Sequence, residues 1–336
     1  MKHLFAAVLL LTGSLISMAQ DVNTSRNNAY KFMQTGDFDN ALVILNKAYS
    51  ENPGNIALQK DLALAHYYKK DNQRALDFVK ILLDRPDADE QCYQIAGNVY
   101  RQLNNAKETE KIYKTALKKF PGNGALNSEY GEYLDMTGKS KDAIAVWETG
   151  IRENPSYSGN YYNAAIYYFK QPDDLIWAII YGEIYANMES LNPKSSQIKA
   201  MVLDAYKQKL FANSNLNSAA QKSKNEFEKA VLETFSRQSG ITVQGLTPET
   251  LAMIRTRFIL DWNNSYAAKF PYYLFEYHTQ LMKDGLFDSY NQWMFGPASN
   301  MDAFKNWAEL NKANYDRFTE FHKGRIFKMP KGQFYK

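Results

Sequence analysis

Residues 35–53 read TGDFDNALVILNKAYSENP. Gly36-Asp37-Phe38-Asp39 makes a turn, after which Ala41, Leu45 and Ala48 recur at helical spacing up to Asn52-Pro53. That recurrence places small, large and small apolar side chains on one helix face. Proline closes similar stretches at Pro86, Pro121 and Pro155, so that closure recurs at near-equal steps from Pro53. A period of about 34 residues across Val22–Pro155 predicts stacked helical pairs, none of which buries its apolar face alone.

The other repeats carry the pattern with changes. The second has Leu62-Ala63 on its first helix, then Ala75 and Val79 on its second. The third has Tyr93, Ala96-Gly97 and Tyr100, then Tyr113 and Ala116. The fourth has Tyr130-Gly131 and Leu134, then Gly138, Ala143 and Trp147. Tyr93, Ala96, Gly97 and Tyr100 follow W-x2-L-G-x2-Y with conservative replacements, and on these residues the stretch resembles the tetratricopeptide repeat (TPR) family. Thr109 and Gly150 stand where the family has alanine, and Leu82 takes a small-residue position. The resemblance implies an all-α, right-handed TPR solenoid of four to five helical pairs.

A fifth pair is expected from Tyr161, Ala165 and Tyr168 followed by Leu175–Met188, with Pro193 closing it. Ile198, Met201, Val202, Ala205 and Leu210 share one side of a helix over Gln197–Phe211, suited to capping the array. The expected organisation is a solenoid with its cap over 22–211, a linker or mobile loop over 212–224, and a helical domain over 225–336. The linker rests on the Asn, Ser, Ala and Lys content of Ala212–Lys224. Ile241–Leu246 reads as a short strand or a loop, Thr247-Pro248 as a helix start, and Asp302–Arg325 as one helix. The region 212–336 resembles no named family. From Phe258 to Tyr335 it is dense in Phe, Trp and Tyr, which at helical spacing reads as core ahead of an exposed platform.

Residues 1–19 have the layout of a secretory signal peptide. Lys2 and His3 precede the apolar Leu4–Leu11, and Ser17-Met18-Ala19 offers small residues for a cut after Ala19. At roughly 13 apolar-biased residues the stretch falls short of the ~20 that span a bilayer. The expected location is periplasmic or envelope-associated, or fully secreted. Cys92 is the single cysteine, so neither an intrachain disulfide nor a cysteine-rich zinc site can form. The 40 basic and 36 acidic residues are mixed along the chain, without the basic stripe of a nucleic-acid binder.

Candidates for chemistry are few. No H-E-x-x-H, G-x-S-x-G or Walker-type loop occurs, and only His66, His278 and His322 lie beyond the signal. Cys92 reads as a packing residue, and Asp173-Asp174 as the cap of the next helix. No catalytic residue, cofactor or metal is assigned. The TPR resemblance implies a concave groove lined by the first (A) helix of each pair. Its positions map to Arg26, Tyr30 and Met33; Lys60, Leu64 and Tyr67; Gln94, Asn98 and Arg101; and Ser128, Glu132 and Asp135. Tyr162, Ile166 and Phe169 continue the series. Such a wall suits an extended peptide or a loop. The family's carboxylate clamp is not implied, because Leu64 stands where it needs Asn. A non-catalytic envelope adaptor with a protein partner is the favoured expectation. The rival is an enzyme or glycan-binding unit in 225–336, which requires Trp262, Glu276, His278, Asp284 and Trp293 to share a pocket. A cationic, aromatic tail (Lys323, Arg325, Lys328, Lys331 and Lys336 with Phe327, Phe334 and Tyr335) is expected to fold back onto that region.

Overall fold

The computed structural model describes residues 21–171, 174–211 and 216–336. The signal-peptide reading therefore lies outside the described residues, as do positions 212–215 of the proposed linker and Asp173 of the proposed cap. Every regular element among the described residues is helical. The chain forms two compact units, divided between Phe120 and Pro121.

The first unit holds three A/B pairs. These are α1 (21–34) with α2 (Phe38–Glu51), α3 (Ile56–Lys69) with α4 (Asn72–Leu83), and α5 (Glu90–Gln102) with α6 (Ala106–Lys119). Val22 and Ala29 of α1 close over Ala41, Leu42 and Leu45 of α2 and Leu58, Leu62 and Ala65 of α3. Leu62, Ala63, Ala75, Val79, Ala96, Tyr113 and Ala116 are all buried as the spacing predicts. Thr109 is buried too, its hydroxyl satisfied by the Asn105 carbonyl at 2.9 Å, so it stands in for alanine without an orphaned donor.

The repeat is more regular in the backbone than in the prolines. The first four A-to-B turns pass through the left-handed region, at Gly36, Lys70, Asn104 and Gly138, and the interval between these positions is constant. The residue after each turn starts helix B. Asp37, Asp71 and Asn105 cap it through a side-chain oxygen that accepts a backbone N–H. The A helices start at Asn55, Asp89, Asn123 and Tyr157, again at that same interval, and the first three cap in the same way. The uneven proline steps are thus a local displacement of Pro86 inside a constant register.

The second unit continues with α7 (Gly124–Met136), α8 (Ser140–Glu153) and α9 (Ser158–Phe169). Next comes α10 (Leu175–Met188), whose residues 175–187 are all buried. A helix that is apolar on every side belongs inside a domain. α9 and α11 (Pro193–Asp204) pack on it directly. A single π turn over Ala205–Leu210 ends α11, and α12 (Leu216–Lys222) then pairs with α13 (Glu226–Ser236). Where composition predicts a linker, residues 216–222 are therefore helical, with Leu216 and Ala220 buried. Residues 239–244 form a 3₁₀ turn instead of a strand. α14 (Pro248–Ser265), α15 (Tyr273–Lys283), α16 (Phe287–Ser299), α17 (Met301–Leu310) and α18 (Lys312–Lys323) complete the fold. The last two replace the single helix expected over 302–325, with the break at Asn311.

Glu183 in the middle of α10 is its one charged residue, and it organises the second unit. Arg255 of α14 pairs with it, His278 Nε2 of α15 lies 2.9 Å away, and Tyr290 of α16 donates its hydroxyl at 2.7 Å. Asn291 accepts from Arg255, and Asn187 donates to Tyr290 Oη at 2.7 Å. Burial alone would raise the Glu183 pKa, but Arg255 and His278 overcome it and hold the carboxyl at about 2. Burial pulls His278 below its ordinary value, so its neutral ring donates to the carboxylate.

Candidate functional site

The predicted positions lie on α1, α3 and α5 in the first unit and on α7 and α9 in the second, and several of those side chains are already engaged. In the first unit Arg26 donates to Asp61 from Nε at 2.5 Å, tying α1 to α3. Lys60 is buried and not open to the groove. Its ammonium pairs with Asp89, the cap of α5, and donates to Gln91 at 3.2 Å. Burial opposes ionisation of Asp89, yet the bonds from Lys60 and Cys92 keep its pKa below the usual range. The family mapping fails at Lys60 because it fixes helix phase and not the partner the next repeat supplies. Met33 packs into the core, and Gln94 is half-buried.

The remaining positions stay available. Tyr30 is 60% exposed. Leu64, Tyr67, Asn98 and Arg101 are half-exposed, and Tyr67 lies edge-on to Tyr68 with Lys70 above its ring. This face offers a phenol, an amide and a guanidinium around apolar side chains, a mix that can clasp both the backbone and the side chains of an extended segment.

In the second unit Ser128 is buried, so it too is a packing residue. Its hydroxyl and Asn163 Nδ2 of α9 both donate to Glu132 Oε1, at 3.3 and 3.1 Å. Glu132, Asp135, Met136, Ile166, Tyr167 and Lys170 then line an open cleft of ≈ 290 Å³ between α7 and α9. Met136 is 77% exposed at its rim. Acids dominate the neighbourhood. Burial, with Glu129, Glu132 and Glu189 close by, raises the Tyr157 pKa. Tyr162 is occupied by Tyr185 and by Lys194 above its ring, while Phe169 lies under Lys209.

The five residues required by an enzymatic or glycan-binding pocket do not meet. Trp262 is enclosed by Phe227, Phe258 and Phe275, and His278 belongs to the Glu183 network. Glu276 is exposed, Asp284 accepts from Gln280 at 2.8 Å, and Trp293 lies beneath Lys199. Cys92 is fully buried, and burial pushes its thiol up to about 11. Asp174 starts α10 but makes no cap hydrogen bond, since its carboxylate is taken by Lys336. Among the described residues no three His, Cys, Asp or Glu side chains gather as metal ligands. No helix there is long and apolar enough to cross a membrane.

No curated protein matches the chain in sequence. Among solved structures it is similar to a thermophilic TPR protein of Thermus thermophilus, at 17% identity and a TM-score of 0.44, over 55% of this chain and 98% of that one. It is also similar to PilW, a widely conserved type IV pilus biogenesis factor, at 15% identity and a TM-score of 0.29, over 78% and 92%. A family model described as the tetratricopeptide repeat matches residues 32–97. That match falls on pairs whose turns and caps recur at a constant interval.

Proposed function

We propose that this chain is a non-catalytic adaptor of the bacterial cell envelope that holds an extended segment of another protein against its A helices. Tetratricopeptide repeats mediate protein–protein interaction, which supplies the general role. The observation that carries the reading is the surplus of uncommitted chemistry on these faces. Tyr30, Asn98 and Arg101 in the first unit and Met136, Ile166 and Lys170 of the α7/α9 cleft in the second are open, whereas Lys60, Arg26, Ser128 and Glu132 are used in holding the array. The envelope location is supported by the charged start, short apolar run and small-residue cut site of residues 1–19.

A photo-crosslinking amino acid placed at Asn98 or at Ile166 tests the first half in living cells. Discrete protein adducts from both positions, and none from exposed Lys118 on α6, are expected. Adducts from Lys118 alone would reject the A-helix faces. Fractionation with N-terminal sequencing tests the second half. A mature chain beginning at Gln20 in the envelope fraction is expected, and an uncut chain in the cytoplasm would reject export.

A further inference from the structure

Residues 325–336 follow α18 as an irregular strap. Phe327 and Met329 are buried and fix its first half. Gly332 then turns the backbone at φ +87, a conformation that side chains rarely adopt. Beyond that hinge, residues 333–336 lie half-exposed on the second unit, each with its own partners. Gln333 accepts the Tyr273 amide at 2.6 Å. The Tyr335 ring stacks on Phe227 at 4.7 Å with Phe270 and Tyr272 around it. Its hydroxyl donates to the Pro271 carbonyl at 2.8 Å, and its own carbonyl accepts from Asn225 at 2.6 Å. The Lys336 ammonium pairs with Asp174, lies 3.8 Å from Glu228, and stands 5.0 and 5.4 Å from the ring centres of Tyr168 and Trp177.

We propose that this surface is a second binding site, specific for an extended segment in which an aromatic residue precedes a lysine, and that the chain's own residues 333–336 occupy it as a competing internal ligand. The site is built without the strap. Trp177 Nε1 donates to Glu228 at 2.7 Å, and Tyr168 donates to Glu148, so the acids and rings of the lysine cage hold each other in place. Phe227, Phe258, Trp262 and Phe275 form one aromatic cluster beneath the tyrosine pocket. Removing Lys336 leaves Asp174 and Glu228 without the ammonium they share, and a cage of acids and π faces selects an ammonium group. Backbone and side-chain bonds on both sides of the tyrosine fix the direction of the segment. This is how an extended peptide is read, with main-chain bonds for affinity and alternate pockets for specificity. It is distinct from the A-helix faces and does not depend on them.

The test uses the chain ending at Gly332, the full chain, and a fluorescent peptide of residues 325–336 followed by polarisation. The truncated protein is expected to bind the peptide, and the full chain to bind it more weakly by roughly ten-fold or more, because a tethered segment competes at high effective concentration. A peptide carrying Lys336→Glu should bind neither. Full-length Lys336→Glu, in which the strap is present but its cage contact is reversed, should gain peptide binding. Failure of folded, truncated protein to bind the peptide overturns the proposal, as does equal binding to truncated and full-length chains. Loss of folding in both the truncated and the Lys336→Glu proteins also overturns it, since the strap would then be part of the core.

Discussion

A Cβ built on Gly131 of α7 would stand 2.2 Å from Trp147 Nε1 of α8, which donates to the Ser128 carbonyl at 3.2 Å. The same relationship holds one repeat earlier, where a Cβ on Gly97 would meet Tyr113 Cζ at 2.5 Å. Gly131 follows Gly97 by the same interval that separates Trp147 from Tyr113, so in α5 and α7 the glycine admits the large ring of the B helix that follows.

Gly131→Ala is therefore expected to destabilise the second unit. Ala gains up to ~1 kcal/mol of helix propensity over Gly. Overpacking against a hydrogen-bonded indole costs about 1–3 kcal/mol, so the net loss should be about 1 kcal/mol at the middle of that range. Gly97→Ala should cost less, because its nearest atoms are the far end of the Tyr113 ring, which can shift. Urea denaturation followed by tryptophan fluorescence and circular dichroism checks both. An unchanged or higher midpoint for Gly131→Ala would contradict the packing account.

Lys70 occupies the left-handed turn at φ 68 that Gly36 and Gly138 occupy in the first and fourth repeats. Lys70→Gly should stabilise the chain by about 0.5–1 kcal/mol, since a side chain in this region carries roughly 1 kcal/mol of strain. Part of that gain is offset by the lost bond from Lys70 to Gln102 at 3.2 Å. Gly36→Ala and Gly138→Ala should lose about 1 kcal/mol each for the same reason. Denaturation midpoints that move in these opposite directions would verify the turn register.

Acid should destabilise the second unit in two stages. Burial lowers the pKa of His278, and burial with Lys199 lowers that of His322 to about 4, against 6.5 for the unfolded chain. Unfolded histidines take up protons first, so stability falls as pH drops below about 6.5. Glu183 is held at about 2 against 4.5. Its contribution is complete above about 4.5 and is lost as pH falls through the folded value. Glu183→Gln, which leaves Arg255 buried without its anion, should cost about 3–5 kcal/mol near neutral pH. It should also shrink the second stage to what Glu249, whose pKa is lowered too, contributes. Denaturation midpoints measured from about pH 7.5 down to pH 3 would show this, and a flat profile would contradict it.

Cys92 should resist thiol reagents in the native protein. It is fully buried, and its raised pKa keeps it protonated, whereas the thiolate is the reactive form. Labelling in increasing urea should follow the unfolding of the first unit, and rapid labelling without denaturant would contradict the placement.

What the sequence discloses follows from the range of each interaction. Ala41, Leu45, Ala48, Ala75 and Val79 are legible as core because helical spacing is a local property. The Lys70 and Asn104 turns are not, since neither residue advertises a positive φ as glycine does. Glu183, Arg255 and His278 lie far apart along the chain and meet only through packing, so no motif marks them. The one local clue to that network is an acid in the otherwise apolar run of α10. At the candidate site, phase places Asn98, Arg101, Glu132 and Ile166 on A-helix faces. It cannot show that Asp89 claims Lys60 or that Ser128 is sealed inside.

The most direct test of the adaptor account is crosslinked affinity capture from the native envelope, with wild-type protein beside a Tyr67→Ala, Asn98→Ala, Arg101→Glu triple variant of unchanged circular dichroism. The account predicts that specific protein partners are recovered with the wild type and lost with the variant. The same partners recovered at the same yield from both would contradict it.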